Sequence, residues 1–121
     1  MGLLRWVALA LGLSGVFLGA ALGVAKESGQ EQVVQITAQR FKFTPSEIVV
    51  QKGRPVQLEI TSLDFVHGFN VPALKLRADL PPGIVTKVRF TPQRAGKYSF
   101  VCDNFCGEGH EEMHGRIVVV E

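Results

Sequence analysis

The sequence predicts an all-β sandwich or barrel, and three observations carry that reading. Apolar and polar residues alternate in seven or eight short runs, the period of two that half-buried strands require. Turn residues separate these runs at the spacing usual for sandwiches. No run has a convincing amphipathic helical period, and there is no internal repeat or low-complexity tract.

Taken in order, the chain opens with a stub, Met1 to Arg5, that carries one positive charge. Trp6 to Ala25 then run apolar for about twenty residues, the length of a membrane-spanning helix. Gly15, Gly19 and Gly23 recur at intervals of four, a small-residue stripe suited to close helix packing. The alternative is a cleaved signal peptide, with Gly23-Val24-Ala25 as its small-residue cleavage site. On either reading Arg5 stays inside and the rest of the chain crosses the cytoplasmic membrane. The outcome is a single-pass protein with an extracytoplasmic domain, or one secreted after cleavage. Residues 1–25 thus read as anchor or signal peptide, 26–32 as a polar linker and 33–121 as one domain.

Within the domain, Val33 to Ala38 mixes β-branched and polar positions, and Phe41 and Phe43 alternate with Arg40 and Lys42 before Pro45 interrupts. Glu47 to Val50 follows and ends at Lys52-Gly53. Val56, Leu58 and Ile60 alternate with Gln57, Glu59 and Thr61. Val66 to Val71 is stopped by Pro72, and Pro81-Pro82-Gly83 marks a turn into the alternation around Val88 and Phe90. Ala95-Gly96 turns into Lys97 to Cys102, where Tyr98, Phe100 and Cys102 share a face. Gly115 introduces a last strand, Arg116 to Val120.

Size and charge narrow the function. Without its first segment the chain keeps roughly 95 residues, enough for one core. A formal net charge of +2, with the basic residues scattered, gives no basic stripe, and nucleic-acid binding is not expected on that ground. Asp103, Glu108, Glu111 and Glu112 crowd one loop that holds no Lys or Arg. They form either a solvated surface or a docking face for a basic partner, steered by charge that salt would screen.

That same loop concentrates the chemistry. The chain has only two cysteines, two methionines and three histidines, and Cys102, Cys106, His110 and Met113 all fall between the last two strands. Thiolate, thioether and imidazole are the ligand set that copper prefers. A mononuclear blue-copper site uses one cysteine, two histidines and a weak axial ligand, which leaves the second thiol without a role. Two thiolates can instead bridge two metals, and each metal then needs a terminal nitrogen. His110 supplies one. His67, at the mouth of a strand about 35 residues upstream, is the expected second, and His114 reads as a surface or outer-sphere residue.

The pattern Cys102-x-x-x-Cys106-x-x-x-His110-x-x-Met113, with His67 upstream, resembles the dinuclear copper A domain of cytochrome c oxidase subunit II. The resemblance covers most of residues 33–121. It includes His67-Gly68-Phe69, the Leu80-Pro81-Pro82-Gly83 turn, Gly96-Lys97-Tyr98 and Gly115-Arg116-Ile117-Val118-Val119. The Cys-Gly-x-Gly-His form of the loop is most similar to B-class heme-copper oxidases of bacteria. The resemblance implies a cupredoxin-like Greek-key fold and two copper ions, with Cys102 and Cys106 as bridging thiolates. It implies that His67 and Met113 complete one copper, and His110 with the backbone carbonyl of Asn104 the other. Many members have Glu where Asn104 stands, a side chain that helps bind magnesium, so no magnesium is expected here. Phe69 stands where many have a Trp implicated in electron uptake.

By the same resemblance the chain takes single electrons from cytochrome c or a similar carrier. It passes them to the heme-copper catalytic subunit of a terminal oxidase, and catalyses no bond-making itself. The short N-terminal segment and linker keep open a free-standing copper A electron carrier. Copper delivery or storage is the rival from another class, and a Cys102–Cys106 disulfide in an exported domain is the purely structural alternative.

Overall fold

A computed structural model describes residues 30–121. The expected anchor or signal peptide, 1–25, and most of the linker lie outside the described residues. Among the described residues no helix is long and apolar enough to cross a membrane.

Among the described residues nine strands form: β1 (Gln32–Gln39), β2 (Lys42–Thr44), β3 (Glu47–Gln51), β4 (Val56–Ser62), β5 (His67–Val71), β6 (Leu76–Leu80), β7 (Val85–Phe90), β8 (Gly96–Val101) and β9 (His114–Val120). They build two sheets, ordered β2-β1-β4-β7 and β3-β9-β8-β5-β6. Two pairings are parallel, β1 with β4 and β3 with β9. The other named pairings are antiparallel. Parallel neighbours cannot be joined by a tight hairpin. The chain therefore crosses between sheets, and the sandwich closes around one core.

Alternation decides which side chains enter that core. Ile48 and Val50 of β3, Ile60 of β4 and Ile117 and Val119 of β9 are buried, while Val49 and Val120 face outward. Phe43, Phe69 and Phe100 come from β2, β5 and β8 and pack with ring centroids 5.0–6.0 Å apart. All three are buried. This aromatic cluster joins both sheets just beneath the ends of β5 and β8.

The strands depart from the sequence reading in small ways. Strand β5 begins at His67 rather than Val66, and Phe41 lies in the turn between β1 and β2 rather than in a strand. Strand β6 has no counterpart in the sequence reading. It is a sheet edge in which half-buried Leu76 and Ala78 and buried Leu80 alternate with exposed Arg77 and Asp79. It follows a 3-10 turn at Pro72–Leu74, ended by Lys75 in the left-handed region (φ 57°).

Three connections meet at one end: the β1–β2 turn, the β4–β5 loop and the long β8–β9 loop. The backbone N–H of Leu63 donates to Ala38 O at 2.9 Å, and the Asn104 amide donates to Val66 O at 2.9 Å. The chemistry-bearing residues sit where these loops join.

Candidate metal centre

His67 is the first residue of β5, so the rigid sheet fixes its backbone while its ring reaches the adjoining loops. The ring is fully buried. Its Nε2 lies 2.7 Å from Asp64 Oδ1, and its Nδ1 lies 3.8 Å from Cys102 Sγ. A carboxylate only accepts, so in the neutral ring Nε2 carries the proton and Nδ1 turns its lone pair toward the sulfur. Burial alone raises the Asp64 carboxyl. The Arg40 N–H, the His67 ring and the Phe65 N–H outweigh that effect and hold it below the usual carboxylate range. The edge of the Phe65 ring closes over His67, with centroids 5.0 Å apart at 86°.

Cys102 leaves the end of β8 pointing into the same pocket, on the inward face it shares with Phe100. Its Sγ receives the Gly68 N–H at 3.5 Å and lies 3.4 Å from the carbonyl oxygen of Asn104. A Cβ at Gly68 would fall on the Asp103 carboxylate and against Arg77, so a side chain there would displace that ion pair. Arg77 of β6 grips both oxygens of Asp103 at 2.8 Å. That fork, above all, pulls the Asp103 carboxyl below its ordinary range against the opposing effect of burial. The β8–β9 loop is thereby tied to the sheet one residue beyond Cys102.

Cys106 is buried as well, and both cysteines are free thiols. Burial, followed by the neighbouring Cys102 sulfur, pushes the Cys106 thiol up to about 11. His110 Nδ1 stands 3.6 Å from Cys106 Sγ and Met113 Sδ 4.0 Å from it. The chain reaches these positions through a 3-10 turn at His110–Glu112, entered from Gly109 at φ 106°. Such a conformation favours glycine, and the Phe41 ring packs against Gly109. Met113 is buried, whereas His110 and Asn104 are half-buried.

One ligand atom each from His67, Cys102 and Cys106 lies within 4.8 Å of the others. His110, Met113 and the Asn104 carbonyl surround these three at the distances given. The structure thus gathers every residue that the sequence reading proposed as a metal ligand. It leaves His114 outside, exposed on β9 with its backbone paired to Val101. Two soft thiols, a thioether and two imidazoles in a largely dry pocket fit copper better than a hard cation.

Sequence reasoning missed four residues that shape the site: Arg40, Asp64, Phe65 and Phe105. Only Asp64 left a usable signal, an acidic residue three positions before a proposed histidine ligand. Phe69, the expected aromatic after His67, is wholly buried in the aromatic cluster. The aromatic that reaches solvent is Phe105, 70% exposed and stacked on the His110 ring at 5.7 Å and 29°.

Comparison with known proteins agrees with this arrangement. The family described as Cupredoxin-like domain matches residues 10–119. Cytochrome c oxidase subunit 2 of Thermus thermophilus is 36% identical over 107 residues, 88% of this chain and 79% of that protein. A second subunit 2 sequence from the same species is also 36% identical over 107 residues, and this chain spans 64% of its length. A chain in a cryo-EM structure of a heme-copper terminal oxidase dimer superposes with a TM-score of 0.67 at 30% identity. That match covers 74% of this chain and 65% of the other. The chain is a cupredoxin-like domain, and within that class it belongs to the cytochrome c oxidase subunit 2 family.

Proposed function

We propose that this chain is the electron-accepting domain of a terminal oxidase, holding a dinuclear copper A centre. The observation that carries the reading is the buried meeting of His67, Cys102 and Cys106, with His110 and Met113 beside Cys106. Cys102 and Cys106 would bridge the metals, His67 and Met113 would complete one, and His110 with the Asn104 carbonyl the other. Copper bound there would supply one-electron redox chemistry.

The protein's own part is to hold the donors still. Strand ends fix His67 and Cys102, the Arg77 fork pins Asp103, and Asp64 orients the His67 ring. The aromatic cluster and Phe65 exclude water from the sulfur side. Around the pocket, Leu63, Val66 and Phe105 are exposed, with Glu108, Glu111 and Glu112 on the ligand loop beside them, Asp103 being already paired with Arg77. An apolar centre with an acidic rim suits a carrier such as cytochrome c, whose basic rim would meet these carboxylates. The oxidase relatives support a heme-copper catalytic subunit as acceptor, and an N-terminal anchor would keep the domain at the outer membrane face.

The test is copper content and spectrum of the 121-residue chain purified with its N-terminal segment. Two coppers per chain, a purple colour and an electron-spin signal split over two equivalent nuclei support the reading. Cys102→Ser and Cys106→Ser should each abolish that signal. One copper with intense blue colour, or a colourless cuprous protein, overturns it in favour of a mononuclear site or a delivery role. Co-purification with a heme-bearing membrane subunit separates an oxidase subunit from a free-standing carrier.

A further inference from the structure

We propose that Arg40 is a positioning residue that joins the remote-histidine loop to the cysteine loop, so that the two halves of the metal centre keep a fixed relation. The proposal rests on the copper reading above and concerns a residue outside the ligand set. Arg40 lies in the β1–β2 turn, far in sequence from every proposed ligand, yet it touches both loops that carry them. Its backbone N–H donates to Asp64 Oδ2 at 2.8 Å, and the other oxygen of that carboxylate holds His67. Its side-chain Nε–H donates to the carbonyl oxygen of Cys106 at 2.9 Å. Its guanidinium carbon stands 4.1 Å above the Phe65 ring, the ring whose edge covers His67.

The geometry gives these contacts separate jobs. The planar guanidinium presents a flat face to Phe65 while directing Nε–H at Cys106, a combination that an ammonium cannot reproduce. Only the backbone contact reaches Asp64 directly, so any residue but proline at position 40 can keep it. What a side-chain substitution removes is the bridge from Phe65, over His67, to the Cys106 carbonyl. No other contact of comparable quality among the described residues joins the Phe65–His67 pair to Cys106. Asn104 and Val66 tie the same two loops, but on the Cys102 side.

Arg40→Met and Arg40→Lys in the 121-residue chain test this directly, with two readouts. The first is the rate at which copper passes from the loaded protein to a cuprous chelator. The second is solvent exchange of the His67 Nε2 proton in the metal-free protein, read by NMR. Loss of an outer-sphere contact of this kind typically costs about 10–100-fold in metal retention. Copper release should accelerate by about tenfold or more in both variants, with faster exchange of the His67 proton. The melting temperature of the metal-free protein should move little. Release and exchange within twofold of the parent in Arg40→Met overturns the proposal. So does full rescue by Arg40→Lys, which would leave only a charge effect, or a change in release that merely tracks a fall in melting temperature. If the parent chain binds no dinuclear copper, the copper reading fails. The His67 proton exchange, measured without metal, still decides whether Arg40 couples the loops.

Discussion

At Cys106 the fold opposes the state that metal binding requires. Burial and the nearby Cys102 sulfur raise its thiol to about 11 against an ordinary 9.0. Proton linkage then has opposite signs in the two forms. Without metal, a raised thiol favours folding below the unfolded pKa, and that contribution is lost as pH climbs from about 9 to about 11. In the proposed copper centre Cys106 would bind as a thiolate and release its proton, so affinity should rise with pH over the same interval. Thermal unfolding at pH 7, 9 and 10.5 should show metal-free protein losing stability across the upper interval. Copper titrations should show tightening over the same range.

The residue scale also marks the limit of sequence reading. The proposed ligands were legible because Cys, His and Met are scarce in this chain and fall in one short pattern. Arg40 and Phe65 were not legible, since an arginine in a turn and a phenylalanine in a loop are ordinary. Their roles exist only because the β1–β2 turn and the β4–β5 loop fold to the same end. The setting of Phe69 was not legible either: alternation along β5 turns it inward onto Phe43 and Phe100.

Among the elements, strand β8 does the most to join core and site. Phe100 anchors it in the aromatic cluster, and Cys102 follows two residues later on the same inward face. Phe100→Ala should cost about 3–5 kcal/mol of stability, read from denaturant unfolding, and should also broaden the copper spectrum as Cys102 loses its footing. Phe100→Leu, which leaves a smaller void, should cost less and largely keep the spectrum. Strands with strong alternation, such as β4 and β9, were plain from the sequence. Strand β6 was not. Leu76, Ala78 and Leu80 do face the core, but a five-residue run between Pro72 and Pro81 is too short for its alternation to stand out. Pairing with β5 and the Arg77–Asp103 fork add to its hold.

At the scale of the whole molecule, charge is divided unevenly although the total is only +2. The loop at the metal end carries no Lys or Arg of its own. Arg77 pairs its Asp103 and Arg40 reaches Cys106, which leaves Glu108, Glu111 and Glu112 as its unneutralised carboxylates. Encounter with a positively charged redox carrier should therefore be steered and sensitive to ionic strength. Stopped-flow electron transfer from cytochrome c should slow by about tenfold or more when salt rises from 20 to 300 mM, as the Debye length shrinks below the dimensions of the patch. Transfer from an uncharged small reductant should hardly change. A salt-independent rate would point to an apolar encounter through Leu63, Val66 and Phe105 alone.

The place of β9 has a consequence for biogenesis. The last strand of the described residues occupies an interior position between β3 and β8, and Met113 immediately precedes it. A polypeptide emerging from the ribosome, or threading through a translocon, exposes its thiols before the segment that seats them has arrived. The pocket can take shape only once β9 is in place, so the copper proposed for it would enter after that strand has paired with β3 and β8.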